Sequence, residues 1–401
     1  MRIDVLTKEY PPAIYGGAGV HASELVRALR ERDGLEVQVR CFGAERDEEQ
    51  TTAYPDLAEL ADANGALKTM GVDLTIADDC AGADLVHSHT WYANFAGHVA
   101  SLLGGMPHVI TAHSLEPLRP WKAEQLGGGY RVSSWVEKTA YEAAAGVIAV
   151  SEGMRKDILR SYPDIDEAKV HVVHNGIDSE QWSRVDDQDV LRKHGVDPGR
   201  PAVIFVGRIT RQKGLPYFLR AARALPAEVQ LVLCAGAPDT PEILAEVEAL
   251  IAELRTERDG VVWIGEMLPR HEVVALLSGS TVFVCPSVYE PLGIVNLEAM
   301  ACEVAVLATA TGGIPEVVVD GETGWLVPIE QVQDGTGTPV DPDRFVEDLG
   351  NALVEAVSDI ERAREFGRAG RRRAVEHFSW GSIAENTAQV YERIVRDWAA
   401  R

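Results

Sequence analysis

Short apolar runs of strand-forming residues alternate with helix-patterned stretches along the whole chain, and this rhythm admits few folds. In the first half the runs fall at residues 1–7, 37–42, 83–90, 108–114, 146–151 and 170–178. A second cycle follows at 202–207, 229–236, 261–266, 281–287 and 304–309. Strands separated by helices must run parallel, so the pattern predicts an α/β fold with two doubly wound parallel sheets in tandem. The chain, 401 residues long, exceeds one ordinary core, which agrees with two domains.

The polar, glycine- and proline-marked stretch 181–200, after Asn175-Gly176, reads as the linker between the halves. The expected domains are 1–178 and 179–379. Residues 380–401 form a closing helix whose apolar positions Ile383, Val390, Ile394, Val395 and Trp398 recur at helical spacing. That helix is expected to cross back and complete the first domain. Residues 44–50 read as a surface loop, followed by weakly patterned helical material up to residue 83. The segment 312–328 reads as a turn, a short helix or strand, and a hairpin-like last strand with Gly321 and Gly324 as turn residues.

Acidic residues outnumber basic ones by 62 to 38, a net charge of −24, which argues against nucleic acid as a partner. Any phosphate site must be locally basic. The beginning MRIDVLTKEY does not read as a signal peptide, and no stretch has the length of a membrane span, so a cytoplasmic protein is expected. Five scattered cysteines within mostly apolar runs fit reduced core thiols.

Several groups in this framework can carry chemistry. GRITRQKG, at 207–214, follows a strand directly and sets Arg208 and Lys213 on one loop, where two cations can hold a diphosphate; a solvated basic loop is the plainer alternative. In the stretch 281–301 an apolar strand leads through Glu290-Pro291-Leu292-Gly293 into a helix. Glu290 thus lies at the carboxyl end of a strand and Glu298, eight positions on, in the early turns of the helix. Free amides at that helix start favour an anion, although both glutamates can equally be solvated surface charges.

Gly16-Gly17-Ala18-Gly19 opens the first helix and lets backbone amides approach a phosphate or sugar, or it is a plain turn; it lacks the G-x-G-x-x-G dinucleotide spacing. His87 and His89 share a face of one strand and His113 ends the next, but no third and fourth ligand stand at a convincing spacing, so no metal site is expected. Trp91 and Tyr92 offer flat faces for a sugar, or they are core. Asp164-Ile165-Asp166 reads as a capping turn.

Taken in order, GGAG, His113, AVS at 149–151, HNGID at 174–178, GRITRQKG, the Glu290/Glu298 pair, GGIPEVV and GETGWLV resemble the retaining glycosyltransferases of family 4 over nearly the whole chain. The resemblance implies the GT-B architecture, two Rossmann-like domains facing a central cleft. It gives Glu290 to the transferred sugar, Glu298 to the nucleotide ribose, Arg208 and Lys213 to the diphosphate, and His113 to the donor sugar's hydroxyls. Amides near Gly16 and Gly17 and at Leu292-Gly293 would complete the anion site.

The segments TKEYPPAIYGGAGVHASEL and HSHTWYAN resemble an actinobacterial branch that uses ADP-glucose and glucose 1-phosphate. Glycogen and starch synthases of the neighbouring family carry lysine in the first loop, where this chain has Ile14-Tyr15, and an aromatic residue at the position of Glu298. For a phosphosugar or α-glucan acceptor the candidates are His89, Trp91, Tyr92, Lys122 and Arg131, with Arg119 nearby. Neither metal nor bound cofactor is implied, and a homodimer is possible. Extension of an α-1,4-glucan, another nucleotide-sugar donor and non-catalytic sugar binding stay open as alternatives.

Overall fold

The computed structural model describes residues 1–119, 123, 127–332, 334 and 336–400, which divide into two compact units: Met1–Gly176 together with the chain from Trp380 onward, and Ile177–Ser379. Unit 1 holds β1 (Arg2–Thr7), β2 (Glu36–Phe42), β3 (Thr51–Tyr54), β4 (Leu85–His89), β5 (His108–Ala112), β6 (Gly146–Ala149) and β7 (Val170–Val172). They form one parallel sheet in the order β3-β2-β1-β4-β5-β6-β7. Unit 2 holds β8 (Ala202–Arg208), β9 (Gln230–Gly236), β10 (Val261–Ile264), β11 (Val282–Cys285), β12 (Ala305–Thr309) and β13 (Gly324–Val327). Their order is β10-β9-β8-β11-β12-β13, again all parallel. Two doubly wound parallel sheets are what the alternation of runs required.

The sheet of unit 1 is covered on both faces, and its strands divide their side chains accordingly. Ile3 and Val5 of β1, Val37 and Val39 of β2 and Leu85 of β4 enter one core; Leu6, Phe42 and Val86 enter the other. The first core is closed by the helices Gly17–Arg30 and Trp380–Ala399. Ile383, Val390 and Ile394 of the closing helix are buried there as its apolar spacing predicted, together with Trp380 and Tyr391, which that spacing did not name. Trp398 is half-buried and donates from Nε1 to the carbonyl of Gly105 (2.7 Å).

Three elements differ from the sequence reading. β3 lies within material read as loop and helix. It is a four-residue edge strand, half exposed, and too short for a period to show. Side chains tie it down: Asp4 of β1, with no exposed surface, accepts from Arg40 Nε (2.6 Å), and Arg40 Nη1 donates to Tyr54 Oη of β3 (2.6 Å). The stretch 181–200 is no free linker, for it contains the helix Gln188–Lys193, with Leu191 and Val196 buried and Lys193 and His194 on Glu272 (both 2.5 Å). Finally, β13 is not half of a hairpin. The short helix Ile314–Val317 carries the chain over, so β13 adds parallel to β12.

Burial of a large apolar side chain is worth about 1.5–3 kcal/mol. The five named residues of the closing helix therefore contribute an amount comparable to a domain's whole stability of roughly 5–15 kcal/mol. Ending the chain at Ser379 is expected to leave unit 1 insoluble or protease-sensitive while unit 2 survives limited proteolysis; an intact unit 1 would contradict this packing. Tyr391→Phe removes the hydroxyl that meets His87 Nδ1 (2.6 Å). It should cost about 1–3 kcal/mol in urea denaturation without loss of fold.

Candidate functional site

In unit 2 the strands wind outward from β8 in one direction and from β11 in the other, so these two neighbours form the switch point whose carboxyl ends open a crevice. The loops leaving them are GRITRQKG and the segment 286–293. Arg208 ends β8 and its guanidinium pairs with Asp239 (2.5 Å), beyond β9. Lys213 ends a turn of 3₁₀ helix capped by the Thr210 hydroxyl. Its Nζ donates to Glu290 Oε2 (2.7 Å), and Ser287 Oγ donates to the same oxygen (3.0 Å).

Close backbone approaches fix this pair. Gly214, at φ +63°, lies so near the loop after β11 that a Cβ would fall 2.0 Å from the carbonyl oxygen of Pro286. Gly312, at φ +55°, meets Glu290 in the same way, with 1.9 Å from a Cβ to the Glu290 carbonyl oxygen, which also accepts from Gly313 N (3.0 Å). A side chain at either place would shift the loop that carries Glu290. The glycines of RQKG and TGG are thus explained by the position of one carboxylate.

Burial pulls the Lys213 ammonium down, but Glu290, Cys285 and Glu298 outweigh it, and its pKa stands above the ordinary lysine value. The cation is therefore secure. Glu298 lies on the helix Ile294–Ala301; solvent reaches part of the side chain, yet protein encloses the carboxyl, and burial raises its pKa to about 7 against smaller opposing effects of Arg270 and Lys213. Gly293 begins that helix in a left-handed conformation, and no side chain caps its amides; Leu292 is buried. Asn296, two residues into the helix, is wholly buried with Oδ1 and Nδ2 both without a partner among the described residues. Asn296 and Ser287 were missed in the sequence, where a single amide or hydroxyl carries no pattern.

In unit 1 the switch point lies between β1 and β4. The loop after β1 turns its amides inward: Glu9 Oε2 accepts from Tyr15 N (3.0 Å) and Gly16 N (2.7 Å). Gly16 is thus already bound to a carboxylate of its own chain, while Gly17, first residue of the helix Gly17–Arg30, is exposed. Lys8 Nζ sits 3.8 Å from the centre of the Tyr92 ring, its pKa lowered by burial. Trp91 is buried against Tyr92 and offers no open face.

The histidines cluster where the ends of β4 and β5 meet the first helix. His87 is fully used, Nδ1 by Tyr391 Oη (2.6 Å) and Nε2 by Thr111 Oγ1 (2.7 Å). His89 is also fully buried, and its Nδ1 lies 2.9 Å from Nε2 of the partly buried His113. The third ring beside them is His21, from the helix Gly17–Arg30, which the sequence reading passed over. Burial holds all of these rings below the ordinary imidazole range, His21 at about 4.

Of the basic acceptor candidates, Lys122 lies outside the described residues, and Arg131 is exposed on the helix Gly129–Ala143. Arg119 donates to Ser114 Oγ (2.9 Å). Unforeseen in the sequence, Glu137 Oε1 accepts from Glu116 N (2.7 Å), and Ser133 Oγ donates to Glu116 Oε2 (2.6 Å). Burial raises the Glu137 carboxyl to about 8. Asp166 of the DID segment caps the turn Glu167–Lys169, as read.

Comparison with known proteins agrees with this arrangement. The family described as Glycosyltransferase Family 4 matches residues 15–181, and the family described as Glycosyl transferases group 1 matches 186–373. The alpha-maltose-1-phosphate synthase of Mycolicibacterium smegmatis is 55% identical over 397 residues, 98% of this chain and 100% of that protein. A glycogen synthase of Mycobacterium tuberculosis is 27% identical, over 98% of this chain and 94% of its own length. Among solved structures, the sucrose-phosphate synthase of Thermosynechococcus elongatus superimposes with a TM-score of 0.76 at 24% identity, over 99% of this chain and all of that one. Its likeness concerns the fold of two parallel-sheet domains known as GT-B. With a full-length relative at this identity and the switch-point crevice in place, the chain belongs to glycosyltransferase family 4.

Proposed function

We propose that this glycosyltransferase moves α-glucose from ADP-glucose to glucose 1-phosphate with retention, yielding α-maltose 1-phosphate, without a metal or bound cofactor. The observation that carries this reading is the 55% identity, across the whole length, to a protein named for that product. The site in unit 2 supports the chemistry. As the donor bond breaks, negative charge gathers on the diphosphate and positive charge on the sugar ring, and catalysis consists in stabilising both. Arg208, Lys213 and the uncapped amides at the start of helix Ile294–Ala301 are the anion-stabilising groups. The Glu290 carboxylate is the group for the ring.

Lys213 and Glu290 hold each other before substrate arrives, so both are oriented at no cost during the reaction. Glu298 takes the ribose hydroxyls and His113 the sugar hydroxyls, as the family resemblance implies. With no nucleophile assigned, the acceptor attacks on the face from which the diphosphate leaves, and a leaving phosphate oxygen takes the acceptor proton. For the acceptor's phosphate, Lys8 over Tyr92 is a better candidate than the exposed Arg131, because its partly desolvated charge interacts more strongly at a given distance. Incubation with ADP-glucose plus either glucose 1-phosphate or glycogen tests the reading. ADP release with glucose 1-phosphate and a disaccharide phosphate product support it; activity on glycogen alone would replace it with polymer extension, and no release with any acceptor would defeat it.

Glu290→Ala and Lys213→Ala are each expected to lower kcat by at least about 100-fold while far-UV circular dichroism stays unchanged. The raised carboxyl of Glu298 gives a pH signature. The folded state binds this proton more tightly than the unfolded chain, so the residue is well tolerated below the ordinary value near 4.5, and stability falls as pH rises through about 7. Glu298→Gln should flatten that slope and gain on the order of 1–2 kcal/mol relative to the parent between pH 5 and 8 in denaturant titrations.

A further inference from the structure

Three imidazoles meet in unit 1 with more nitrogen than the surrounding protein uses. His21, on the helix Gly17–Arg30, is 2% exposed, and neither of its ring nitrogens has a hydrogen-bond partner among the described residues. The Asn175 side chain lies beside it and opposes the effect of burial on its pKa, but no hydrogen bond of ordinary geometry closes, since Asn175 Oδ1 also lacks a partner. His89 is wholly buried and its Nε2 is equally unpartnered. A buried polar atom without a partner is costly, and a ligand at one His21 nitrogen would supply what the protein does not. One nitrogen from each of His21, His89 and His113 lies within 4.8 Å of the other two.

We infer that His21, His89 and His113 form a binding site for a divalent d-block ion of the zinc, cobalt or nickel kind. The donor set selects this class. Three imidazoles with no carboxylate among them suit borderline ions, whereas magnesium and calcium require oxygen. Two nitrogens around a tetrahedral zinc, each 2.0–2.1 Å from it, stand about 3.3 Å apart. His89 Nδ1 and His113 Nε2 are 2.9 Å apart, so a few tenths of an ångström of widening admits the ion. It would replace the proton these rings share, and the donating ring would move its own proton to the other nitrogen. Ligation needs only the neutral imidazole, which offers a lone pair on one nitrogen. His87 takes no part, both of its nitrogens being occupied. Three protein ligands leave a fourth position for water, on the side where His113 is partly exposed.

A second consequence rests on the role proposed above for His113. An ion held by that ring withdraws it from the donor sugar, so zinc should inhibit transfer. The test uses the full chain stripped with a chelator, titrated with Zn²⁺ by calorimetry and with Co²⁺ by visible absorption. One Zn²⁺ per chain, an intense four-coordinate Co²⁺ spectrum and no displacement by excess Mg²⁺ are expected. His21→Phe should weaken Zn²⁺ binding by at least about 100-fold, keep turnover without zinc near that of the parent, and abolish zinc inhibition. If that variant does not fold, His89→Gln carries the same binding test. Absence of stoichiometric binding, a weak six-coordinate Co²⁺ spectrum, or affinity unchanged in a folded variant overturns the site. Zinc that binds as described yet leaves turnover untouched preserves the site and overturns the sugar-binding role of His113 instead.

Discussion

Hydrogen bonding between β8 and β11, strands separated in sequence by two complete strand-and-helix units, is the constraint on which the donor half rests. Parallel neighbours need crossovers, and crossovers on opposite sides of a pair leave the loops at its carboxyl ends unroofed by either helix. Into that gap the chain delivers two cations from one loop and a carboxylate from the other. The apolar residues that make β8 and β11 buried central strands therefore decide where Arg208, Lys213 and Glu290 stand.

The ion pair of Lys213 with Glu290 shows how much structure is committed to keeping charge at that place. Both side chains are largely withdrawn from water, which is costly for each alone. Their mutual attraction offsets part of the cost, and Ser287 satisfies the carboxylate further. The chain as a whole disfavours anions, since it bears −24. A locally secured lysine is what makes an anion site possible against that background. Gly214 and Gly312 complete the device by letting two backbones approach the loop that carries Glu290, at Pro286 and at Glu290 itself, more closely than any side chain would allow.

What the sequence could tell follows from which interactions leave a period. Strand alternation and the stripe of the closing helix repeat at fixed spacing, so the parallel sheets and the return of Trp380–Ala399 to unit 1 were legible. Motif order made Arg208, Lys213, Glu290 and Glu298 candidates, and the structure sets the first three on adjoining loops of one switch point. Interactions that join distant single residues leave no such trace. Edge strand β3 depends on Arg40 reaching Tyr54, and Leu191 is buried by a partner helix that its polar neighbours conceal. Glu9 belongs to no pattern, yet its carboxylate accepts from the amides of Tyr15 and Gly16 at the start of GGAG. His21 sits at an inward position of an amphipathic helix, where the expected occupant is apolar, so nothing but three-dimensional proximity could join it to His89 and His113.

His87 and His89 illustrate why position along a strand separates structure from function. They are two residues apart on β4, face the same way and are equally buried. His87, one pleat further inside, finds Tyr391 and Thr111 and has every polar atom matched. His89, at the strand's last residue, spends one nitrogen on His113 and keeps the other unmatched. Selection for stability alone would favour filling or removing that nitrogen, as an apolar residue of similar size would cost less to bury. Asn296 poses the same question in unit 2, buried and unpartnered at the helix that begins beside Glu290. His21 and Asn296, each on a helix that begins just past a central parallel strand, stand where a ligand can supply a missing partner.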